Sequence, residues 1–317
     1  MKKRISIAIS MGEPCGIGPE VLAKSLKGLS RVKDAVFFVT GDSYVLSSYG
    51  IKSSPNVELI GINANTPFPF KPGSPSKESG SASLDYLNAA VSLIKNGTCQ
   101  GLVTGPISKE AVRSAGFLWP GHTEFLAHAF GAEQVAMVFI SERFKVALAS
   151  RHIALKEVLE DFKKEDIFDC AAISFKLLKK YFKLKRPRIA VSGLNPHAGE
   201  AGLFGREDIN IIAPAVKKLN QRLGKHFFGP FAPDTVFYRA YRGEFDMVIA
   251  MYHDQGLIPF KMVEFCQGVH LTAGLPFIRT SPVHGTAFDI AGKNAADHHS
   301  MFNAILAAYQ LTKNSLR

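Results

Sequence analysis

Three histidines sit at matching places in the chain. The segment KVALASRH (145–152) ends in His152, RIAVSGLNPH (188–197) in His197 and MVIAMYH (247–253) in His253. Each apolar run reads as a β-strand, so each delivers one imidazole at or just past a C-terminal strand end. In parallel α/β sheets ligands bind at that edge. Three imidazoles hold a divalent ion and leave positions open for water or substrate, and nitrogen ligands suit zinc, cobalt or another borderline metal. Taken singly, each histidine is as readily a hydrogen-bonded structural residue. With only ten histidines in the chain, three in one structural role exceed scatter, although spacing alone does not prove that they converge. Asp254 either orients the His253 ring or caps the turn that follows.

Two cations flank the region of the third histidine: Lys261, in IPFKMV, and Arg279, at the end of the apolar run LPFIR. Beside a cleft, two such cations favour a phosphate or carboxylate; otherwise they are surface charges. Two glycine-rich segments also stand out. GEPCGIGPEV (12–21) follows a first strand and opens a helix with Pro19 in its first turn. It lacks both the usual GxGxxG spacing and the GK[ST] of a phosphate loop, and a tight strand-to-helix connection also accounts for it. HGTAFDIAGKNAAD (284–297) has small residues and backbone donors suited to close approach of a nucleotide; by composition alone it is a loop.

The elements that must position these residues are legible as an alternation. ISIAIS precedes the helix-like PEVLAKSLKGL, AVFFVTG precedes SYVLSSYG, and GLVTGPI lies between ASLDYLNAAVSLIKNG and SKEAVRSAG; DINIIAPAVKKLNQRLG falls between the strands that carry His197 and His253. Strand alternating with helix predicts a largely parallel sheet covered on both faces. The 317 residues suggest two domains, and 46% apolar with 21% charged residues is ordinary globular composition. Residues 63–81, rich in Pro, Gly and Ser, read as a surface loop, and GFLWPGHTE (116–124) as a second break. The net charge of +11 permits anionic partners. In the densest basic stretch, 175–188, Phe175, Leu178, Tyr181 and Phe182 fall at helical spacing, which makes the lysines a solvated helix face rather than a nucleic-acid patch. The cysteines Cys15, Cys99, Cys170 and Cys266 form no CxxC pair, which argues for a reducing compartment and against a zinc knuckle or disulfide framework. MKKRISIAIS reads as a first strand rather than a signal peptide, and no run of 18 apolar residues marks a membrane span.

The ordered motifs GEPCGIGPE, TGPISK, GHTEFLA, LNPHAGE, MYHDQGLIPFK, GLPFIRT and HGTAFDIAGK run from residue 12 to residue 293. In them the chain resembles the 4-hydroxythreonine-4-phosphate dehydrogenase family of vitamin B6 biosynthesis, and HGTA with DIAGK is shared with the wider isocitrate and isopropylmalate dehydrogenase group. The resemblance implies two α/β/α domains with largely parallel sheets and an active site in the interdomain cleft. Residues 1–120 plus 280–317 would form the first domain, and 121–279 the second with the dimer interface. It implies NAD- or NADP-linked oxidation of 4-phosphooxy-L-threonine to 2-amino-3-oxo-4-phosphooxybutanoate, which decarboxylates to 3-amino-2-oxopropyl phosphate. One divalent ion (zinc, magnesium or cobalt) would sit on His152, His197 and His253, in sites shared across a homodimer. Substrate contacts carry over to His122, Thr123, Lys261 and Arg279, with His270 where the family has asparagine. Gly285, Thr286, Asp289 and Asn294 are the expected nucleotide contacts; no general base is assigned. Glu13 and Cys15 stand where Asp and Ala are common, and Val283 where Asp is common. The expectation is a cytoplasmic enzyme without nucleic-acid or membrane partners. The rival readings are a sibling dehydrogenase of a four-carbon sugar-acid phosphate such as threonate or erythronate phosphate, a basic nucleic-acid-binding protein, and a non-catalytic scaffold.

Overall fold

Runs such as GLVT at Gly101–Thr104 and MVIA at Met247–Ala250 are buried at every position, as strands covered on both faces require. The computed structural model describes residues 4–62, 70–151 and 153–316. His152 and the first part of the expected 63–81 loop, residues 63–69, lie outside the described residues. The chain divides into two units. One comprises Met1–Phe130, Cys266–His270 and Leu275–Arg317, and the other Gly131–Phe265 and Leu271–Gly274.

The first unit begins with β1 (Ile5–Ser10), α1 (Gly18–Gly28), β2 (Ala35–Gly41), α2 (Ser43–Ser48), β3 (Val57–Gly61), α3 (Lys77–Lys95), β4 (Gly101–Thr104), α4 (Lys109–Ser114) and α5 (His122–Ala129). The second contains β5 (Ala136–Ile140), β6 (Lys145–Leu148), α6 (Leu155–Asp161), α7 (Lys164–Lys180), β7 (Ile189–Ser192), α8 (Ala213–Leu223), β8 (Phe227–Phe231), α9 (Pro233–Tyr241), β9 (Met247–Ala250) and α10 (His253–Glu264). Strand β10 (Val269–Ala273) has residues in both units, and β11 (Ile278–Pro282) and α11 (His299–Ser315) complete the first. In the first unit the strand order is β3-β2-β1-β4-β11, and every pairing along it is parallel. In the second it is β5-β6-β9-β7-β8, parallel except for the β5–β6 hairpin.

Local chemistry sets the element ends. Ser76 and Ser79 exchange side-chain-to-backbone hydrogen bonds of 2.9 and 3.2 Å and so cap α3. Gly12 has φ +83°, and a Cβ there would meet the Pro106 carbonyl oxygen at 2.3 Å, so the turn after β1 demands glycine. Gly256 lets α10 sit on β6, because a Cβ would meet Val146 and Leu148 at 2.8 and 2.9 Å.

Two expectations are corrected. The basic helix stops at Lys180 rather than running toward residue 188: Lys183 adopts φ 58°, which no right-handed helix continues. Lys176, Lys179 and Lys180 are exposed, as a solvated face should be. The strand toward His253 ends at Ala250, and His253 is the first residue of α10 behind the extended residue Tyr252. Among the described residues no helix is long and apolar enough to cross a membrane.

Candidate active site

In the second unit the three histidine-bearing segments follow β6, β9 and β7, which are neighbours and mutually parallel. Their C-terminal ends therefore share one sheet edge. Ser150, two residues before His152, hydrogen-bonds the Met251 carbonyl through Oγ at 2.7 Å. Gln255 ties the other two turns together: its Oε1 accepts from Met251 N at 2.7 Å, and its Nε2 donates to the Gly193 carbonyl at 2.8 Å. One side chain thus links the turn before His253 to the turn before His197.

The His197 loop is strained. His197, Ala198, Gly199, Glu200 and Ala201 all have positive φ, from 41° to 80°. For the non-glycine residues this costs roughly 1–2 kcal/mol each. Asp208, 1% exposed, anchors the approach to the loop. Its carboxylate accepts from Leu194 N (2.9 Å), Asn195 N (3.2 Å) and Asn195 Nδ2 (2.9 Å). At His253, Nδ1 lies 2.6 Å from Asp254 Oδ1. The structure thus supports ring orientation for Asp254, and a proton on Nδ1 puts the lone pair on Nε2. A cavity of about 290 Å³ adjoins His253, with Arg151, Tyr252 and Asp254 in its wall.

A second group occupies the first unit. Arg279, on β11 beside β4, is 2% exposed. Its Nη2 donates to Thr104 Oγ1 at 2.5 Å and its Nη1 approaches His270 Nδ1 at 3.2 Å. Guanidinium nitrogens only donate, so His270 Nδ1 accepts and its proton is on Nε2; Ser281 Oγ lies at 3.2 Å from the same Nδ1. Burial pushes the Arg279 guanidinium down to about 9, against the opposing charge of Glu124. It stays charged at neutral pH, and with little water to screen it, it attracts an anion more strongly than a surface arginine does.

His122 and Thr123 are the first two residues of α5, whose N-terminal backbone groups have no side-chain cap. Such a terminus favours negative charge. His122 Nε2 is buried with no hydrogen-bond partner among the described residues. Burial, then the charges of Arg279 and Lys109, hold this imidazole well below its ordinary range, so it is neutral at pH 7. Lys261 lies on α10, which belongs to the second unit; its Nζ is 6.0 Å from the Phe265 ring centre.

The two glycine-rich segments meet. Ile17 N donates to the Thr286 carbonyl at 2.9 Å, and a Cβ on Gly16 would strike that oxygen at 2.9 Å. Glu20, on α1, accepts from Ala296 N and Lys24 Nζ, both at 2.8 Å, and Lys24 also reaches the Asn294 carbonyl at 3.1 Å. Gly285 and Asp289 are exposed, whereas the backbone of Thr286 and Asn294 is engaged in this packing. Sequence reasoning missed Thr104, Ser281, Asp208, Glu20 and Gln255. Thr104, Gln255 and Glu20 lie inside the motifs TGPISK, MYHDQGLIPFK and GEPCGIGPE; for Ser281 and Asp208 only the folded contacts reveal the role.

Comparison with known proteins follows the same lines. The family model described as pyridoxal phosphate biosynthetic protein PdxA matches residues 29–308. A Desulfosudis oleivorans protein named 4-hydroxythreonine-4-phosphate dehydrogenase is 40% identical over 322 residues, covering 96% of this chain and 95% of its own. A D-threonate 4-phosphate dehydrogenase of Pectobacterium atrosepticum is also 40% identical, over 324 residues, 96% of this chain and 98% of its own. The crystal structure of the Klebsiella pneumoniae 4-hydroxythreonine-4-phosphate dehydrogenase aligns with TM-score 0.84 at 38% identity, over 98% and 99% of the two chains. A beta-decarboxylating dehydrogenase of Thermococcus kodakarensis, at 15% identity and TM-score 0.52 over 96% and 83%, shares the fold alone.

Proposed function

This chain belongs to the pyridoxal phosphate biosynthetic protein PdxA family, and from that premise we propose that it oxidises 4-phosphooxy-L-threonine with NAD or NADP. The product 2-amino-3-oxo-4-phosphooxybutanoate then loses carbon dioxide to give 3-amino-2-oxopropyl phosphate. The observation that supports this best is the buried Arg279, held by Thr104 and His270, as a fixed cation for a phosphorylated substrate.

His152, His197 and His253 would hold one divalent ion. The residues fit: they follow three adjacent parallel strands, and Asp254 engages the His253 Nδ1, as carboxylates do behind metal-bound imidazoles. When bound, the ion supplies Lewis acidity toward the substrate hydroxyl, and the nicotinamide supplies the hydride acceptor. The chain's own residues do the positioning. Arg279 and the α5 N-terminus hold the phosphate away from the reacting carbon, with Lys261 as a further cation, so binding energy goes into orientation. His122 Nε2 and the protonated Nε2 of His270 are the neutral polar groups for the rest of the substrate. Gly285, Thr286, Asp289 and Asn294 belong to the proposed nucleotide loop.

The site is proposed to be shared in a homodimer. Ile258, Met262 and Phe265 expose 66%, 78% and 54% of their surface on α10 and the residue after it, at helical spacing. Such a stripe suits a second copy of the chain. The same reading puts the protein in the cytoplasm, which its four free cysteines fit.

Nicotinamide reduction by the purified, metal-loaded protein is the test, with 4-phosphooxy-L-threonine and D-threonate 4-phosphate offered in parallel. The expected result is a higher kcat/KM for the amino acid phosphate. A preference for the threonate phosphate would assign the sibling activity, which the Pectobacterium relative's name keeps in play; no turnover of either would overturn the dehydrogenase reading.

A further inference from the structure

The start of α11 carries another group of metal-ligating side chains, in the first unit and distant in sequence from the three histidines above. Asp297, His298 and His299 bring one ligand atom each to within 4.8 Å of one another, the one such group among the described residues. Asp297 Oδ1 grips His299 twice, through its backbone N–H at 2.8 Å and its Nδ1 at 2.7 Å. The His298 and His299 rings lie 4.7 Å apart, centre to centre.

A fourth donor stands beside them. The exposed Cys266 thiol lies within hydrogen-bonding reach of the Asp297 carboxylate. Its segment is fastened there independently: Ser300 Oγ donates to the Gly268 carbonyl at 2.7 Å, and Asn303 Nδ2 to Gln267 Oε1 at 2.7 Å. The thiol reaches Asp297 but lies outside the group whose donors are all within 4.8 Å of one another, so it would join by turning in from a segment some 30 residues away.

We propose that Cys266, Asp297, His298 and His299 form a site for a divalent transition ion of the zinc class, which clasps the Cys266–Gly268 segment to the start of α11. Zinc–nitrogen bonds of about 2.0–2.1 Å in a tetrahedron set ligand atoms about 3.3 Å apart, so side-chain rotation has only a short gap to close for Asp297, His298 and His299, and the exposed Cys266 side chain is free of the core and can swing in beside Asp297. A helix N-terminus carries roughly half a positive charge, which disfavours a cation; the Asp297 carboxylate offsets it, and the Cys266 thiolate adds a second negative donor. Binding releases the thiol proton to solvent. The mixed donor set selects zinc or cobalt over magnesium and calcium, which take oxygen ligands.

Cobalt(II) is the probe, because a thiolate-to-cobalt charge-transfer band in the near ultraviolet reports this site alone. The proposed catalytic histidines include no sulfur ligand, and Cys15, Cys99 and Cys170 are buried. Metal-free full-length protein is titrated as wild type, His253→Ala, Cys266→Ser, Asp297→Asn and the His298→Ala, His299→Ala double variant. The band is expected to saturate at one cobalt per chain in His253→Ala, by the second equivalent in wild type, where the histidine site competes, and to be absent in Cys266→Ser. Half-saturation is expected to rise at least about tenfold in the other two, the lower end of what even outer partners of a metal contribute. In unaltered wild type, zinc is expected to slow alkylation of Cys266 by iodoacetamide, a readout that needs no variant to fold. No band in wild type, a band surviving Cys266→Ser, no protection by zinc, or half-saturation at about 1 mM or weaker, which marks an adventitious contact, overturns the site.

Discussion

At residue scale, His270 and His122 are neutral for different reasons. His270 must accept from the Arg279 guanidinium, so its proton is confined to Nε2. Asparagine can reproduce that pattern, its amide oxygen accepting and its NH2 donating. His270→Asn is therefore expected to leave KM for the phosphorylated substrate nearly unchanged. His270→Ala removes a hydrogen bond to a charged group, worth about 1.5–3 kcal/mol, and is expected to raise KM by about tenfold or more. Steady-state kinetics of the three proteins decide it, and equal values would take His270 out of the substrate site. His122 is neutral because burial and nearby positive charge resist its protonation. The unfolded imidazole takes a proton near pH 6.5. Below that pH the unfolded state binds more protons than the folded one, so the contribution is complete above about 6.5 and stability falls as the pH drops. Urea midpoints between pH 7.5 and 5.5 should fall more in wild type than in His122→Gln; parallel falls would remove His122 as the cause.

At the scale of elements, the His197 loop is a strained segment held by one carboxylate. Asp208 serves three donors from the chain before the loop, and Asp208→Asn replaces one acceptor oxygen with an NH2 that faces donors. Each hydrogen bond lost to a charged group costs about 1.5–3 kcal/mol. The variant is expected to lower the unfolding midpoint and, because the His197 loop loses its anchor, to weaken metal binding at the proposed histidine site. Calorimetric titration with zinc in a His298→Ala, His299→Ala, Cys266→Ser background, where the proposed α11 site keeps only Asp297, measures it. Unchanged affinity would mean that the loop keeps its shape without Asp208. The signal in sequence was the LNPHAGE motif itself. GREDIN carries no mark that one of its acids is buried, because burial is set by how the π-helical turn Asp208–Ile212 lies against the loop.

For the whole molecule, the exposed apolar stripe of Ile258, Met262 and Phe265 argues for pairing of two chains. Under the proposed pairing, Met262→Glu would bury a charge between the two chains and is expected to sediment as a monomer where wild type sediments as a dimer, with activity lost if the site is shared. A fully active monomeric wild type would end that idea. The sequence by itself determined much. Uninterrupted apolar runs required strands covered on both faces, their alternation with amphipathic stretches required a mostly parallel α/β sheet, and ordered motifs across the chain marked the family. It also marked His197 and His253 by position, since a residue a few positions past a strand's end stays near it in any fold; Arg279, expected at the end of an apolar run, is instead the second residue of β11. What only the tertiary structure decided is adjacency. The strand order β6-β9-β7 differs from chain order, so periodicity could not show that the His197 and His253 segments are neighbours. Likewise Thr104 meets Arg279 from 175 residues away, and Glu20 meets Ala296 from 276. A local pattern records which face of an element is buried, whereas the partner that face meets depends on how distant segments pack, a choice spread over the whole chain.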